Sequence, residues 1–107
     1  MTNITIYKNS NNQVVGFKSI GHAGYAKAGK DIVCAAVSTL TINTINSIES
    51  LTDDRFEASI DEKHAIMDFK LIDISEKSEV LLDSLVLGLE GIREGNSKYI
   101  SITFEEV

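Results

Sequence analysis

The feature that most constrains the fold is a repeated change in the spacing of apolar residues along the chain. In five stretches apolar and polar residues alternate, which is typical of β-strands with one buried face. In two longer stretches apolar residues recur every three or four positions, which is typical of amphipathic helices. The strands are predicted within residues 3–7, 13–20, 56–60, 67–71 and 99–104, and the helices over 31–51 and from a cap at Ser75 to Gly95. This order, ββαββαβ, predicts an α+β fold.

The linkers between successive strands are short and polar. Residues 9–12 read Asn-Ser-Asn-Asn, and Asp61 and Glu62 follow the third predicted strand. Strands joined by such turns pair antiparallel, so we expect a mostly antiparallel β-sheet with both helices packed on one face. Because the chain has no proline, its edge strands must be protected by charge, by short length or by a partner subunit. An edge strand or the leucine-rich second helix is therefore a hypothetical homodimer interface.

Composition narrows the classes of function. A chain of 107 residues with 43% apolar and 24% charged residues fits one globular domain, residues 1–107. The formal charge of −6 argues against direct binding of nucleic acid, which needs lysine and arginine opposite phosphates. We see neither a signal peptide nor an apolar run of the length that spans a membrane, so we expect a cytoplasmic protein with no membrane partner.

The single cysteine, Cys34, is either a packed core residue or a reactive group, because it has no second cysteine to pair with. A thiol reacts as its thiolate, which a nearby cation or a helix N-terminus stabilises. With Asp31 as the predicted N-cap, Cys34 would be the third helical residue, beside unpaired amides that also suit an oxyanion. His22 lies twelve residues upstream in a glycine-rich segment, 21–29, that is predicted to be a loop. Such a loop permits the imidazole to reach the sulfur, but the spacing does not require this contact.

Residue-level reasoning leaves other interpretations open. Cys34 can be core packing, and His22 an ordinary loop histidine. Ser38 shares a helix face with Cys34, but a serine more often bonds to its own helix backbone. His64 is predicted on the polar face of a strand and is given little catalytic weight. Two histidines and one cysteine without ligand spacing predict neither a metal site nor a cofactor.

Residues 21–38 read GHAGYAKAGKDIVCAAVS. This segment resembles the signature of the ribosomal-processing cysteine proteases: G-H-A, a short glycine-containing loop, G-x-D-x-V-C-A, and a serine four residues after the cysteine. The resemblance implies a cysteine endopeptidase with Cys34 as nucleophile and His22 as general acid and base. Gly21, Ala23, Asp31 and Ser38 would bind substrate or support the site, under a mobile loop over 21–29.

The resemblance also implies a substrate and an assembly. The family removes a short N-terminal extension from large-subunit ribosomal protein L-twenty-seven in Firmicutes and related bacteria, and its members are dimeric. The expected extension is hydrophobic, contains phenylalanine and precedes a basic arm, which an acidic surface suits. Two alternatives remain: a non-catalytic, ribosome-associated peptide-binding module, and a thiol redox sensor, although the chain has no resolving cysteine.

Overall fold

The computed structural model describes residues 1–21 and 28–107, and for residues 28–31 it describes the backbone alone. The elements, in chain order, are β1 (Thr2–Lys8), β2 (Val14–Ile20), α1 (Ala28–Leu51), β3 (Phe56–Asp61), β4 (Ile66–Leu71), α2 (Glu76–Arg93) and β5 (Ile100–Glu106). The predicted order ββαββαβ and the α+β class are confirmed.

The five strands form one sheet in the order β3-β4-β2-β1-β5. The β1–β2, β2–β4 and β3–β4 pairs are antiparallel, whereas β5 runs parallel to β1. The parallel pair arises because the chain reaches β5 through the crossover helix α2 rather than through a tight turn. The sheet is therefore mostly antiparallel, as predicted.

The core lies between one face of the sheet and the two helices. Alternate side chains of the central strands face it: Ile4 and Ile6 are at most 1% exposed, and Phe17 of β2 stacks on Phe69 of β4 with ring centroids 5.4 Å apart. The helices complete this core with Val33, Val37 and Ile48 from α1 and Leu82, Leu85 and Leu89 from α2. The alternating apolar residues of the strands and the helically spaced apolar residues of the helices thus pack together in one buried layer.

The structure confirms the predicted turn after β1 and the predicted N-cap of α2. Asn12, between β1 and β2, has a φ of 62°, in the left-handed region that asparagine tolerates. Ser75 caps α2, but its capping-box partner is Ser78 and not Glu79. The reason is position: Ser78 is the third helical residue, whereas Glu79 is the fourth and accepts a hydrogen bond from Gln13 instead. Gly95, just beyond α2, has a φ of 84°.

The start of α1 differs from the prediction. The helix begins at Ala28, so Asp31 is its fourth residue and is not the N-cap. Alanine and lysine are strong helix formers, and Ala28 and Lys30 extend the helix backwards through Gly29. Cys34 is consequently the seventh helical residue, in the second turn, and not the third. The prediction that Cys34 lies in the first turn, where the amides are unpaired, is wrong.

Residues Ile32–Leu51 of α1 have a mean hydropathy of 1.2, so by length and composition alone this stretch could cross a membrane. The expectation that the sequence has no such stretch is wrong by this measure. The core helix of a soluble protein can have the same length and composition. Val33, Val37 and Ile48 of this stretch are at most 2% exposed in the core described above. Packing in the core accounts for the apolar character of these three positions, whereas Ile32 and Ile42 of the same stretch are exposed.

An exposed ion pair between Arg55, just before β3, and Asp73, just after β4, predicts a pH dependence of the stability of the fold. Arg55 donates to Asp73 through Nε at 2.8 Å and Nη2 at 3.0 Å, and its backbone amide donates to the same carboxylate at 2.9 Å. The Arg55 side chain, followed by its amide, lowers the pKa of Asp73 to about 2. An aspartate in the unfolded chain has a pKa of about 4. The stability that the ion pair contributes is therefore fully present above this pKa, and it is lost as the pH falls towards 2.

Urea unfolding of the wild type and Asp73→Asn between pH 6 and pH 2 checks this expectation. The difference in the free energy of unfolding between the two proteins should shrink as the pH falls below about 4. It should also shrink with added salt, because the pair is exposed. A difference that stays constant over this pH range would show that the ion pair does not contribute.

Candidate active site

Cys34 lies at the boundary between the core and the surface. Its neighbours Val33 and Val37 are 2% exposed, but Cys34 itself is only partly buried. Its Sγ atom lies 3.2 Å from Oγ1 of Thr2, the first residue of β1. The thiol also lines a surface pocket of about 150 Å³. Partial burial beside a surface pocket favours a reactive role for Cys34 over core packing.

The pocket lies between the second and fourth turns of α1 and the near end of the sheet. Besides Cys34, the helix contributes Val37, Ser38 and Thr41 to its lining. The β3–β4 hairpin contributes Ile60, Asp61, Glu62, Ala65, Ile66 and Met67. Thr2, Ser19 and Gly21 come from β1 and from the end of β2. The site therefore combines aliphatic walls with two carboxylates beside one thiol.

The turn between β3 and β4 is fastened to the segment that precedes His22. The backbone amide of Gly21 donates to the carbonyl oxygen of Ala65 at 3.1 Å. Ala65 has a φ of 52°, a left-handed conformation that costs an alanine about 1 kcal/mol. This bond, and another from the Ala65 amide to the Glu62 carbonyl, hold the turn in place. The position of the hairpin tip is thereby set by β2, close to the site.

His64 lies in this turn, not in a strand as the sequence analysis predicts. Its Nδ1 atom is 2.7 Å from one carboxylate oxygen of Asp61, and its amide donates to the other at 3.2 Å. The turn takes up the four residues between the end of β3 at Asp61 and the start of β4 at Ile66, and His64 is one of them. Both His64 and Asp61 are exposed, and their contact caps the turn.

The structure brings together three of the site residues named from the sequence: Gly21, Cys34 and Ser38 all line the pocket. Ser38 is exposed and follows Cys34 by one helical turn, as the spacing predicts. His22 and Ala23 lie outside the described residues, and so do the side chain of Asp31 and most of the predicted loop. The pairing of His22 with Cys34 therefore stays a prediction.

Sequence reasoning missed the residues that approach Cys34 from the sheet. Thr2 and Met67 line the pocket from β1 and β4, and Asp61 ends β3 beside it. One signal was present for Thr2: it has the same parity in β1 as Ile4 and Ile6, which places a hydroxyl on the face that packs against the helices. A polar side chain on a core-facing strand position needs a hydrogen-bond partner, and here that partner is Cys34.

Acidic side chains near the pocket do not form a recognisable metal site. Within residues 1–21 and 28–107, no group of three or more histidine, cysteine, aspartate or glutamate side chains is arranged to hold a metal ion. The expectation that the protein needs no metal or cofactor remains a prediction.

The fold and the pocket define a small α+β protein with its single cysteine at a surface pocket. The chain belongs to the family described as cysteine protease Prp, whose sequence profile matches residues 1–101. The ribosomal processing cysteine protease Prp of Staphylococcus aureus is 24% identical over 106 residues, 98% of this chain and 100% of that protein. The protein of the same name from Bacillus subtilis is 23% identical over 108 residues, 96% of each chain. The family resemblance drawn from residues 21–38 is confirmed.

Solved structures agree with this fold over nearly the whole chain. The S. aureus protease in complex with a substrate peptide superposes with a TM-score of 0.92 at 24% identity, covering 98% of this chain and 100% of that one. A Streptococcus mutans protein superposes with a TM-score of 0.89 at 29% identity, covering 100% and 96%. This chain is thus a member of a family of ribosomal-processing cysteine proteases with the fold of its solved relatives.

Proposed function

We propose that this protein is the endopeptidase that removes the N-terminal extension of ribosomal protein L-twenty-seven, with Cys34 as nucleophile and His22 as general acid and base. The observation that carries the proposal is the placement of the Cys34 thiol in a pocket with aliphatic walls and two carboxylates. Relatives described as ribosomal processing proteases support it. We further propose that it acts in the cytoplasm, where ribosomal proteins are made.

The chemistry follows from a thiol paired with an imidazole. The Cys34 thiolate attacks the scissile carbonyl carbon and forms a C–S bond, while imidazolium His22 donates its proton to the leaving amine as the C–N bond breaks. The neutral imidazole then takes a proton from water, whose oxygen attacks the thioester. When the C–S bond breaks, its electron pair returns to sulfur, so that the Cys34 thiolate and imidazolium His22 are regenerated. The new carboxylic acid leaves and loses its proton to solvent.

The pocket matches the chemistry of the expected substrate. Ile60, Ile66 and Met67 offer apolar contacts to a hydrophobic side chain of the extension. Asp61 and Glu62, at the tip of the β3–β4 hairpin, place negative charge at the same pocket. A peptide with a hydrophobic side chain close to a basic arm would match both the apolar walls and the two carboxylates of the pocket. The formal charge of −6 for the whole chain favours the same partner.

Incubation of the purified protein with the host's L-twenty-seven precursor tests this function. We expect two fragments whose masses sum to that of the precursor plus one water, with a single cut between the hydrophobic extension and the basic arm. A precursor that already lacks its extension is the matched control and should stay intact. A folded enzyme that leaves the full precursor uncut would refute the proposed substrate, and cuts at unrelated sites would refute the proposed specificity.

The alternatives predict different thiol chemistry. A non-catalytic peptide-binding module would bind the precursor without cutting it, and membership in a cysteine protease family favours the enzyme. A redox sensor would show reversible oxidation of Cys34 and would keep its function when His22 is replaced. Alkylation of Cys34 at pH 6 well above the rate of free cysteine supports the protease, whereas resistance to the reagent contradicts it.

We also propose that two copies associate through the outer surface of the helices. From Ile32 to Ile48, α1 carries no charged residue, and Ile32 and Ile42 are 70% and 45% exposed. On α2, Val80 and Leu87 are 63% and 72% exposed. Both outermost strands, β3 and β5, instead carry acidic residues that discourage pairing between sheet edges. A second copy of this chain offers the same apolar helix surface in return.

Sedimentation at micromolar concentration tests this dimer. The wild type should sediment as a dimer, and Leu87→Glu should shift it to a monomer because a carboxylate would be buried in an apolar interface. Ser10→Glu adds the same charge at an exposed position in the turn between β1 and β2, outside both helices, and should remain dimeric. A monomeric wild type, or a dimer that tolerates Leu87→Glu, would contradict the proposed interface.

A further inference from the structure

Thr2 is a buried polar residue that contacts the proposed nucleophile. It is 2% exposed, and its hydroxyl oxygen lies 3.2 Å from the Sγ atom of Cys34. Its backbone is fixed by the sheet, where it pairs with Ile100 of β5 and its amide donates to the carbonyl oxygen of Tyr99 at 2.8 Å. The hydroxyl is therefore held at the sulfur by a rigid strand, not by a loop.

The same side chain packs against Gly21, which directly precedes His22. A β-carbon added to Gly21 would lie 3.2 Å from Oγ1 and 3.4 Å from Cγ2 of Thr2. The Gly21 amide is in turn bonded to the β3–β4 turn through the carbonyl of Ala65. Thr2 thus touches both the residue that bears the thiol and the backbone from which the histidine segment departs.

A threonine hydroxyl can either accept a hydrogen bond from a thiol or donate one to a thiolate. The bond to the thiolate is the stronger of the two because the acceptor is charged. A fixed hydroxyl at this distance consequently favours the ionised sulfur and limits its rotation. At a buried position the alternative partner, water, is largely excluded from the hydroxyl.

We propose that Thr2 is a positioning residue of the protease: its hydroxyl donates a hydrogen bond to the Cys34 thiolate and orients the sulfur towards the pocket. The proposal rests on the proposed function, since it assigns Thr2 a role only if Cys34 is the nucleophile. It adds a residue from β1 to a site that the sequence places entirely within residues 21–38.

The pH dependence of Cys34 alkylation by iodoacetamide tests this role in the full-length protein. Thr2→Val keeps the shape of the side chain but removes the hydroxyl. We expect the midpoint of the alkylation profile to move up by about one pH unit, so that alkylation at pH 6 is about tenfold slower. With the precursor, kcat should fall while KM changes little, because the hydroxyl contacts the sulfur and not the substrate.

Thr2→Ser keeps the hydroxyl, and its alkylation midpoint should stay at the wild-type value. Thr44→Val is the matched control, since Thr44 is a buried threonine of α1 whose hydroxyl bonds to the Leu40 carbonyl, away from the pocket. Its profile should not move. Thr2→Ala provides a second variant without the hydroxyl in case Thr2→Val fails to fold, and its midpoint should rise in the same way.

The outcomes separate the two proposals. If the wild type is reactive at pH 6 and neither Thr2→Val nor Thr2→Ala moves the midpoint, the role of Thr2 is wrong and the proposed function stands. If Thr2→Ser shifts the midpoint as far as Thr2→Val, the shape of the Thr2 side chain and not its hydroxyl is responsible. That result also overturns the proposed role of Thr2. If the wild-type thiol reacts no faster at pH 6 than free cysteine, both proposals fall.

Discussion

Replacement of Cys34 by serine is expected to lower kcat/KM for the precursor at least about 1,000-fold, and His22→Ala should do the same. Serine keeps the geometry but is a far weaker nucleophile at neutral pH, and loss of the imidazole removes both the base and the proton donor. Because the two residues act as one unit, the double variant should be little worse than either single variant. Rates of precursor cleavage followed by fragment mass measure all three.

Thr39→Ala is the matched control for these variants. Thr39 is an exposed residue of α1 close to Cys34 in sequence, and its hydroxyl donates to the Ala35 carbonyl of its own helix. Its cleavage rate should equal that of the wild type. Cleavage that survives Cys34→Ser would overturn the nucleophile. Near-normal cleavage by His22→Ala, with Cys34→Ser inactive, would instead show that another group serves as the base.

Gly16→Ala is expected to destabilise the protein by about 3 kcal/mol or more, the upper part of the range for forced overpacking. Gly16 is buried in β2, opposite Lys70 of β4. A β-carbon there would lie 2.1 Å from the backbone oxygen of Phe69 and 3.0 Å from the Cα atom of Lys70. Backbone atoms cannot rotate away as a flexible side chain can. The two strands would have to separate beside the stacked Phe17 and Phe69 rings.

Urea unfolding measures this effect, with Gly91→Ala as the control. Gly91 lies in α2, and a β-carbon added there meets nothing within 4 Å. Alanine is the better helix former, so Gly91→Ala should leave stability unchanged or raise it by up to about 1 kcal/mol. If Gly16→Ala unfolds at the same urea concentration as the wild type, the close approach of β2 and β4 at Gly16 is not as the structure describes it.

The order of elements was predictable because apolar spacing follows directly from backbone geometry. In β1 and β4, alternate side chains lie on the same face of the strand, and in α2 every third or fourth side chain lies on the same face of the helix. The apolar spacing therefore shows which face of each element is buried. Asn12 and Gly95 marked turns because few residue types adopt positive φ at low cost. These signals are local, and a local signal is readable without knowing the rest of the fold.

The start of α1 shows where a local signal is ambiguous. Asp31 is a favourable N-cap residue, but an aspartate in the first turn of a helix is also favourable through the helix dipole. The sequence offers both positions, and the structure selects the second by beginning α1 at Ala28. The consequence is chemical as well as structural, because Cys34 then lies beyond the first-turn amides.

The pairing of β5 with β1 was likewise not readable from spacing. Each strand predicts its own buried face, but not which neighbour it joins or in which direction. The parallel register, with Thr2 opposite Ile100, depends on the path of the chain through α2. That register in turn fixes the backbone of Thr2 at the end of the sheet nearest Cys34.

The sequence alone therefore determined the class of fold, the family and the two residues proposed for the chemistry, because these depend on spacing and on a motif confined to residues 21–38. The tertiary structure decided what surrounds the thiol. Thr2, 32 residues before Cys34, and the hairpin tip at Asp61 and Glu62 reach the pocket only through the strand order of the sheet. Contacts between residues so distant in the chain arise from strand pairing and helix packing, which no local pattern of residues encodes.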